Sequence, residues 1–292
     1  MIDFSTSAEN RREITRTRTR GEHAPRRVLV KYGGNAMVDQ ELVEDVLAGI
    51  AAQHNAGLQL VLVHGGGPYI KKLLDALGLE SEFVGGHRRT DARTIRYIGM
   101  VLSGQVNGDI VGRLNRLGAK AVGLSGRDAA LATVQPRRHM DSAGEEFDLG
   151  FVGDIEQVNP RLVEDLLAGG YLPVVAPISI GPGGKDYNVN ADMFAGHLAA
   201  ALSADEYLVL TDVDGLRRDR EDPDTLIPAL SRGEAEELLG TVIAGGMIPK
   251  VQSCLIAVKR GVGMARIVNG TRPGSLAAAL NGEPGGTVIK GE

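Results

Sequence analysis

The stretch Val61-Leu-Val-His-Gly-Gly-Gly-Pro68 constrains this chain more than any other. Leu58 to Val63 is short, aliphatic and partly β-branched, as expected of an inner strand of a parallel sheet. Three glycines follow, and Pro68 then falls at a first helical position, where its missing N–H costs nothing. Ile70, Leu73, Leu74 and Leu77 recur at helical spacing, and Gly78 closes the segment. A strand, a turn without side chains and a helix N-terminus together form an anion site, because backbone N–H groups approach a ligand closely there and the helix dipole favours negative charge. A tight strand-to-helix turn without a ligand is the plainer reading of the same residues.

Two further glycine turns repeat the arrangement. Arg27-Val-Leu-Val-Lys-Tyr-Gly-Gly-Asn35 reads as a strand ending beside Lys31, ahead of Gly33 and Gly34. In open α/β sheets that carboxyl edge is where ligands bind, so Lys31 is placed to meet phosphate oxygens as a point charge. Gly245-Gly-Met-Ile-Pro-Lys250 puts Lys250 in the first turn of a helix, the end the dipole makes unfavourable for a cation, which points to an anion beside it. Strands and helices alternate along the 292 residues, which predicts an α/β fold: an open, mostly parallel central sheet with helices on both faces. Gly181-Pro-Gly-Gly-Lys-Asp186 is the best seam between two lobes, giving 27–180 and 181–292, with residues 1–26 as an N-terminal extension. That extension, basic over Asn10 to Arg20, reads as a disordered tail or as a helix docking on a neighbouring subunit.

The remaining polar candidates are Arg88 and Arg89 before a long helix, Asn188, Asn190 and Asp192 around a helix start, and the acidic turn Thr211-Asp-Val-Asp-Gly215. Arg88 suits a bidentate grip on a carboxylate, with two solvated arginines as the alternative. Simple helix caps would account for Asn188, Asn190 and Asp192. A net charge of −5 gives no global reason for nucleic acid binding, and no apolar run approaches the roughly 18 residues of a membrane span. The one cysteine, Cys254, lies in an apolar run; it reads as core and fits a reducing cytoplasm. There is no CxxC pair or HExxH, no Walker GxxxxGK[ST] and no GxGxxG. Phosphoryl transfer needs chiefly positioning and charge neutralisation, which two lysines and backbone N–H groups can supply. A carboxylate acceptor is already ionised near neutral pH and needs no general base.

Val30-Lys-Tyr-Gly-Gly-Asn-Ala-Met37, His64-Gly-Gly-Gly-Pro68, Leu124-Ser-Gly126, Asn188-Val-Asn-Ala-Asp192, Leu210-Thr-Asp-Val-Asp-Gly215 and Gly245-Gly-Met-Ile-Pro-Lys250 occur in that order. Together, over about residues 27–290, they resemble the amino acid kinase superfamily and within it the N-acetylglutamate kinases of arginine biosynthesis. The resemblance implies transfer of the ATP γ-phosphate to the side-chain carboxylate of N-acetyl-L-glutamate. It implies Lys31 and Lys250 on the transferring group with Asp192 orienting them, and Gly33, Gly34, Gly66 and Gly67 as backbone donors around phosphate and substrate. Arg88 and Asn188 would hold the acetylglutamate. Thr211, Asp212 and Gly215 would lie in the nucleotide lobe, and Mg2+ would be held through ATP phosphates rather than by a protein metal site. It also implies a cytoplasmic homo-oligomer, a dimer at least, with a hexamer as the larger alternative. The loop Gly86-His-Arg-Arg-Thr90 departs from the pattern at His87 and Arg89, as does Val268-Asn-Gly-Thr-Arg-Pro-Gly-Ser275. Ala279 replaces the glutamate of arginine-inhibited relatives, which predicts weak or absent arginine inhibition. Two rivals are a kinase for a related acidic substrate, such as carrier-linked aminoadipate, and a non-catalytic amino-acid sensor of the same fold.

Overall fold

The computed structural model describes residues 25–140 and 144–291; residues 1–24, the bulk of the N-terminal extension, lie outside them. In chain order the elements begin β1 (Arg27–Tyr32), α1 (Gln40–Asn55), β2 (Gln59–His64) and α2 (Gly67–Ala76). A small hairpin, β3 (Phe83–Val84) and β4 (His87–Arg88), precedes α3 (Thr94–Gly99), a π-helical stretch over Met100–Val106, and α4 (Asn107–Arg116). There follow β5 (Ala121–Ser125), β6 (Ala132–Met140), β7 (Glu146–Val158), α5 (Arg161–Ala168), β8 (Leu172–Ala176), β9 (Ile178–Ile180) and β10 (Asp186–Asn188). The remainder is α6 (Ala191–Ala201), β11 (Glu206–Thr211), β12 (Ala229–Ser231), α7 (Arg232–Leu238), α8 (Met247–Lys259), β13 (Met264–Asn269), α9 (Ser275–Leu280) and β14 (Thr287–Lys290).

Among the described residues eight strands form one sheet in the order β12-β14-β13-β11-β1-β2-β8-β5, parallel except where β13 meets β14. All six residues of β1 and of β11 are buried, as both faces of these strands are covered. The two-residue period sorts them. Val28, Val30, Leu60, Leu62, Leu208 and Leu210 pack beneath α1, α2, α4 and α9, while Leu29, Val61, Val63, Tyr207 and Val209 pack beneath α6 and α8. Strand order reverses direction at β1, with β2, β8 and β5 on one side and β11 and the later strands on the other. Such a switch point opens a crevice at the carboxyl ends of the strands, and Lys31 stands at that end of β1.

The expected elements form with some differences. Glycine turns one and two do follow strands, but Gly245 and Gly246 follow α7 and the irregular residues 239–244 rather than a strand. Gly181–Lys185 closes a tight turn between the antiparallel β9 and β10, with Gly181 N–H donating to Lys185 O at 2.8 Å. The long β6–β7 hairpin joins β9 and β10 in a small closed four-stranded unit outside the main sheet, which the sequence does not announce because β9 and β10 are three residues each.

Candidate active site

Asp192 sits in the first turn of α6, whose start is capped by Asn190, the side chain accepting from the N–H groups of Asp192 and Met193 at 2.9 and 3.2 Å. The Asp192 carboxylate is therefore free of capping. Its Oδ1 lies 2.9 Å from Lys31 Nζ and its Oδ2 3.2 Å from Lys250 Nζ. One buried carboxylate thus faces two lysine ammonium groups, a formal charge of +1 for the three side chains. Burial works against the charged carboxylate, but the two ammonium groups outweigh it and hold the Asp192 pKa below the usual range. Burial pushes the Lys31 ammonium down, Asp192 opposes that, and the charge on Lys250 adds to the lowering. Lys250 is the more exposed of the two lysines, at 17 % against 6 % for their side chains.

Packing explains how residues so far apart in sequence meet. A Cβ on Gly196 would come within 2.5 Å of Ser253 O, so glycine lets α6 and α8 touch backbone to backbone one turn after Asp192 and Lys250. Behind the cluster, the Tyr207 hydroxyl donates to Asp192 O at 3.2 Å and lies 3.1 Å from Ser253 Oγ, which donates to Lys250 O at 2.7 Å. Neither support carries a sequence signal of its own: Tyr207 lies in the apolar strand β11 and Ser253 beside Cys254 in the apolar α8.

The glycines of the first two turns lie against this cluster. A Cβ on Gly33 would come within 2.8 Å of Lys31 Nζ, and Gly65 lies beside both Gly33 and Ala191. Gly34 has φ +73, which favours glycine, and open space beside it. Gly66 is buried against Leu102, whereas Gly67 opens α2 and is exposed. No side chain caps α2. Its first N–H groups accordingly keep their donors for a ligand.

The other predicted residues do not all converge on the lysines. Arg88 lies in β4, its guanidinium donating to Ser81 Oγ and resting 4.6 Å from the Phe83 ring centroid. Asn188 is half-buried in β10, opposite Val152 of β7 and Ile178 of β9. Thr211 is buried at the end of β11 and Asp212 is exposed just beyond it. Gly215, at φ +147, lies against Thr287, whose hydroxyl accepts from Leu216 N–H at 2.8 Å; that close approach by itself requires glycine. Asp214 accepts from Asn269 and Arg272, both at 2.8 Å, and ties the acidic turn to the segment after β13.

Both Asp192 oxygens are committed to ammonium groups, and no group of three or more His, Cys, Asp or Glu among the described residues is arranged to hold a metal ion. What the arrangement offers is positive charge and backbone N–H donors at the mouth of the crevice, which suits a group carrying several anionic oxygens.

A model of the amino acid kinase family matches residues 26–269. An acetylglutamate kinase from Moorella thermoacetica is 46% identical over 267 residues, covering 90% of each chain. One from Synechococcus sp. is 46% identical over 270 residues, covering 92% of each. Among solved structures, N-acetylglutamate synthase from Neisseria gonorrhoeae, complexed with coenzyme A and N-acetyl-glutamate, superposes with a TM-score of 0.78 at 26% identity, covering 91% of this chain and 60% of that one. Carbamate kinase from Giardia lamblia bound to AMP-PNP gives a TM-score of 0.66 at 19% identity, covering 92% and 99%, a likeness of fold.

Proposed function

Because the chain belongs to the amino acid kinase family, we propose that the Lys31–Asp192–Lys250 cluster is the phosphoryl-transfer centre of an enzyme acting on N-acetyl-L-glutamate. The enzyme transfers the γ-phosphoryl group of ATP to the side-chain carboxylate of that substrate, in arginine biosynthesis, and yields N-acetyl-L-glutamyl 5-phosphate and ADP. A carboxylate oxygen of the acceptor forms the new P–O bond as the bond between the γ-phosphorus and the β,γ-bridging oxygen breaks, and the electron pair leaves with ADP. No proton changes hands on the acceptor, so no general base is required. Negative charge spreads over the equatorial oxygens of the transferring group and the bridging oxygen. Lys31 and Lys250 neutralise it from two sides, and Asp192 keeps the two ammonium groups apart and aimed.

Gly33, Gly34, Gly66 and Gly67 supply backbone donors, and the open space beside Gly34 and Gly67 lets the phosphates come close. Arg88 exchanges its bond to Ser81 for the α-carboxylate of the substrate, and Asn188 holds the acetylglutamate. Thr211, Asp212 and Gly215 belong to the nucleotide side, in a lobe of residues 181–292 facing an acceptor lobe of 27–180. Order in the main sheet supports this division, since strands from residues 59–176 lie to one side of β1 and those from 206–290 to the other, while β10, just past the seam, pairs with β7 and β9 of the acceptor side. Mg2+ would be carried by the ATP phosphates and would add neutralising charge there, since both Asp192 oxygens face ammonium groups. The enzyme works in the cytoplasm as a homo-oligomer, a dimer at least, which sedimentation analysis tests. No helix among the described residues is long and apolar enough to cross a membrane. Ala279 is buried in α9 at 4 % exposure, so that helix offers no carboxylate there to an arginine guanidinium, in keeping with weak or absent inhibition.

The observation that carries this reading is a pair of lysines bridged by one buried carboxylate at the carboxyl edge of a parallel sheet. Acyl phosphate formed from ATP is trapped with hydroxylamine, with N-acetylglutamate, glutamate and N-acetylaspartate offered in turn. A clear preference for N-acetylglutamate is expected; turnover of none of the three, with ATP still bound, contradicts the assignment.

A further inference from the structure

His64, the residue before the three glycines, is fully buried, and Asn107 at the junction of the π-helical stretch and α4 is nearly so. Among the described residues neither is hydrogen-bonded to Lys31, Asp192 or Lys250, yet the two form a polar chain that ends on the glycine turn. The Asn107 amide nitrogen lies 2.9 Å from Val174 O, 3.4 Å from Leu124 O and 3.0 Å from His64 Nε2. Backbone carbonyls can only accept, so this corner of the amide must be the NH2 group and not the oxygen. Its second hydrogen then points to Nε2, which must be the unprotonated ring nitrogen. The neutral imidazole therefore carries its proton on Nδ1, and Nδ1 lies 2.8 Å from Gly65 O. Glycine at position 123 leaves the room that Asn107 occupies, since a Cβ there would collide with Asn107 Oδ1.

Gly65 is thereby held at both ends. Its N–H donates to Tyr32 O at 2.9 Å, tying the turn to the end of β1, and its carbonyl accepts from His64. In a trans peptide the N–H points opposite to the carbonyl. Drawing Gly65 O inward to the buried ring consequently turns Gly66 N–H away from it. The π-helical stretch closes on the same turn, with Leu102 packed so near Gly66 that a Cβ would come within 2.5 Å of its Cδ2.

We infer that His64, held in its Nδ1–H form by Asn107, is a positioning residue for the reaction: it clamps the 65–66 peptide so that Gly66 N–H is presented to the phosphoryl oxygens. This rests on the assignment of Gly66 as a backbone donor. The ring touches neither substrate nor reacting atoms and acts through the peptide alone.

The tautomer is read directly from long-range 15N–1H correlation spectra of the labelled full-length protein at pH 7. The clamp requires a proton-bearing Nδ1 and a bare Nε2 for His64. A ring protonated on Nε2 overturns it, whether or not any variant folds. Kinetics then separate positioning from simple packing. His64→Leu, which has no donor, is expected to lower kcat by about 10- to 100-fold with little change in either KM, because a misaimed donor fails chiefly in the transition state. His64→Asn, whose side-chain NH2 reaches roughly where Nδ1 lies, is expected to restore most of that loss. A folded His64→Leu with wild-type kcat, or an Asn variant no better than Leu, overturns the inference. Absence of acyl phosphate from the wild-type protein would instead count against the reaction assignment, leaving the tautomer result to stand or fall separately.

Discussion

At the scale of single residues, Asp192 shows how position and burial decide a role that residue type leaves open. A carboxylate in the first turn of a helix is favourable for the dipole alone, and Asn190 and Asp192 are equally good caps by composition. Geometry separates them: Asn190 caps, and Asp192 is released to bridge Lys31 and Lys250. Asp192→Ala leaves two ammonium groups facing each other in a buried site, and is expected to cost about 3–5 kcal/mol of stability. Asp192→Asn, which keeps hydrogen-bonding capacity, should cost less, while both lose activity; urea unfolding followed alongside turnover checks the order. The lysines were legible because each stands where a cation is out of place in an unliganded protein, at a strand end among glycines or in a first helical turn. Arg88 was legible as a candidate, but its present engagement with Ser81 and Phe83 depends on a two-residue hairpin too short to leave a sequence pattern.

His64 adds a pH dependence. Burial, partly offset by the bond to Gly65, pushes its pKa down to about 4. The unfolded chain, with a histidine pKa near 6.5, takes up a proton between about pH 6.5 and 4 where the folded protein does not. The stabilising contribution is thus complete above about pH 6.5 and is lost as pH falls through the folded value, on the order of 3 kcal/mol in all. His197, brought down to about 4 by burial and then by Arg260, acts in the same window. Unfolding free energy should fall from pH 7 to pH 4 with a shallower slope in His64→Asn; equal slopes would contradict this account of the buried ring.

At the scale of elements, the two edges of the sheet serve different ends. At the carboxyl edge, contact between α6 and α8 at Gly196 sets the distance between Asp192 and Lys250. Gly196→Ala forces those backbones apart, and is expected to lower kcat about tenfold while costing about 1–3 kcal/mol of stability. At the opposite edge, where the strands begin, Glu206 is 1 % exposed and takes Arg26 and Arg266 together. Glu206→Ala strands buried guanidinium charge and should cost about 3–5 kcal/mol, with KM for both substrates unchanged. Comparing Tm and kinetics of the two variants tests whether function and stability divide by edge. The alternation of apolar residues made the parallel strands and the amphipathic helices readable. The antiparallel β13–β14 pair was not, because buried strands look alike in sequence whichever way they run, and the π-helical stretch shares the apolar spacing of the helix around it.

At the scale of the whole molecule, β1 is the axis. Its neighbours come from the two halves of the chain, and its carboxyl end carries the lysine and glycines where the proposed reaction brings both substrates together. The sheet class followed from the alternation of elements alone, whereas the convergence of residues 31, 192 and 250 depended on crossover connections whose order a single sequence does not display. The family resemblance supplied that order. The proposed role of the two lysines is to act on the transferring phosphoryl group and not merely to hold nucleotide. Its most direct test is single-turnover formation of trapped acyl phosphate by wild type and Lys250→Met, with ATP affinity measured separately by calorimetry. The rate at saturating substrates should fall by about 100- to 1,000-fold while ATP affinity changes only a few-fold. A variant that binds ATP far more weakly, yet transfers phosphoryl at the wild-type rate once saturated, would contradict the claim.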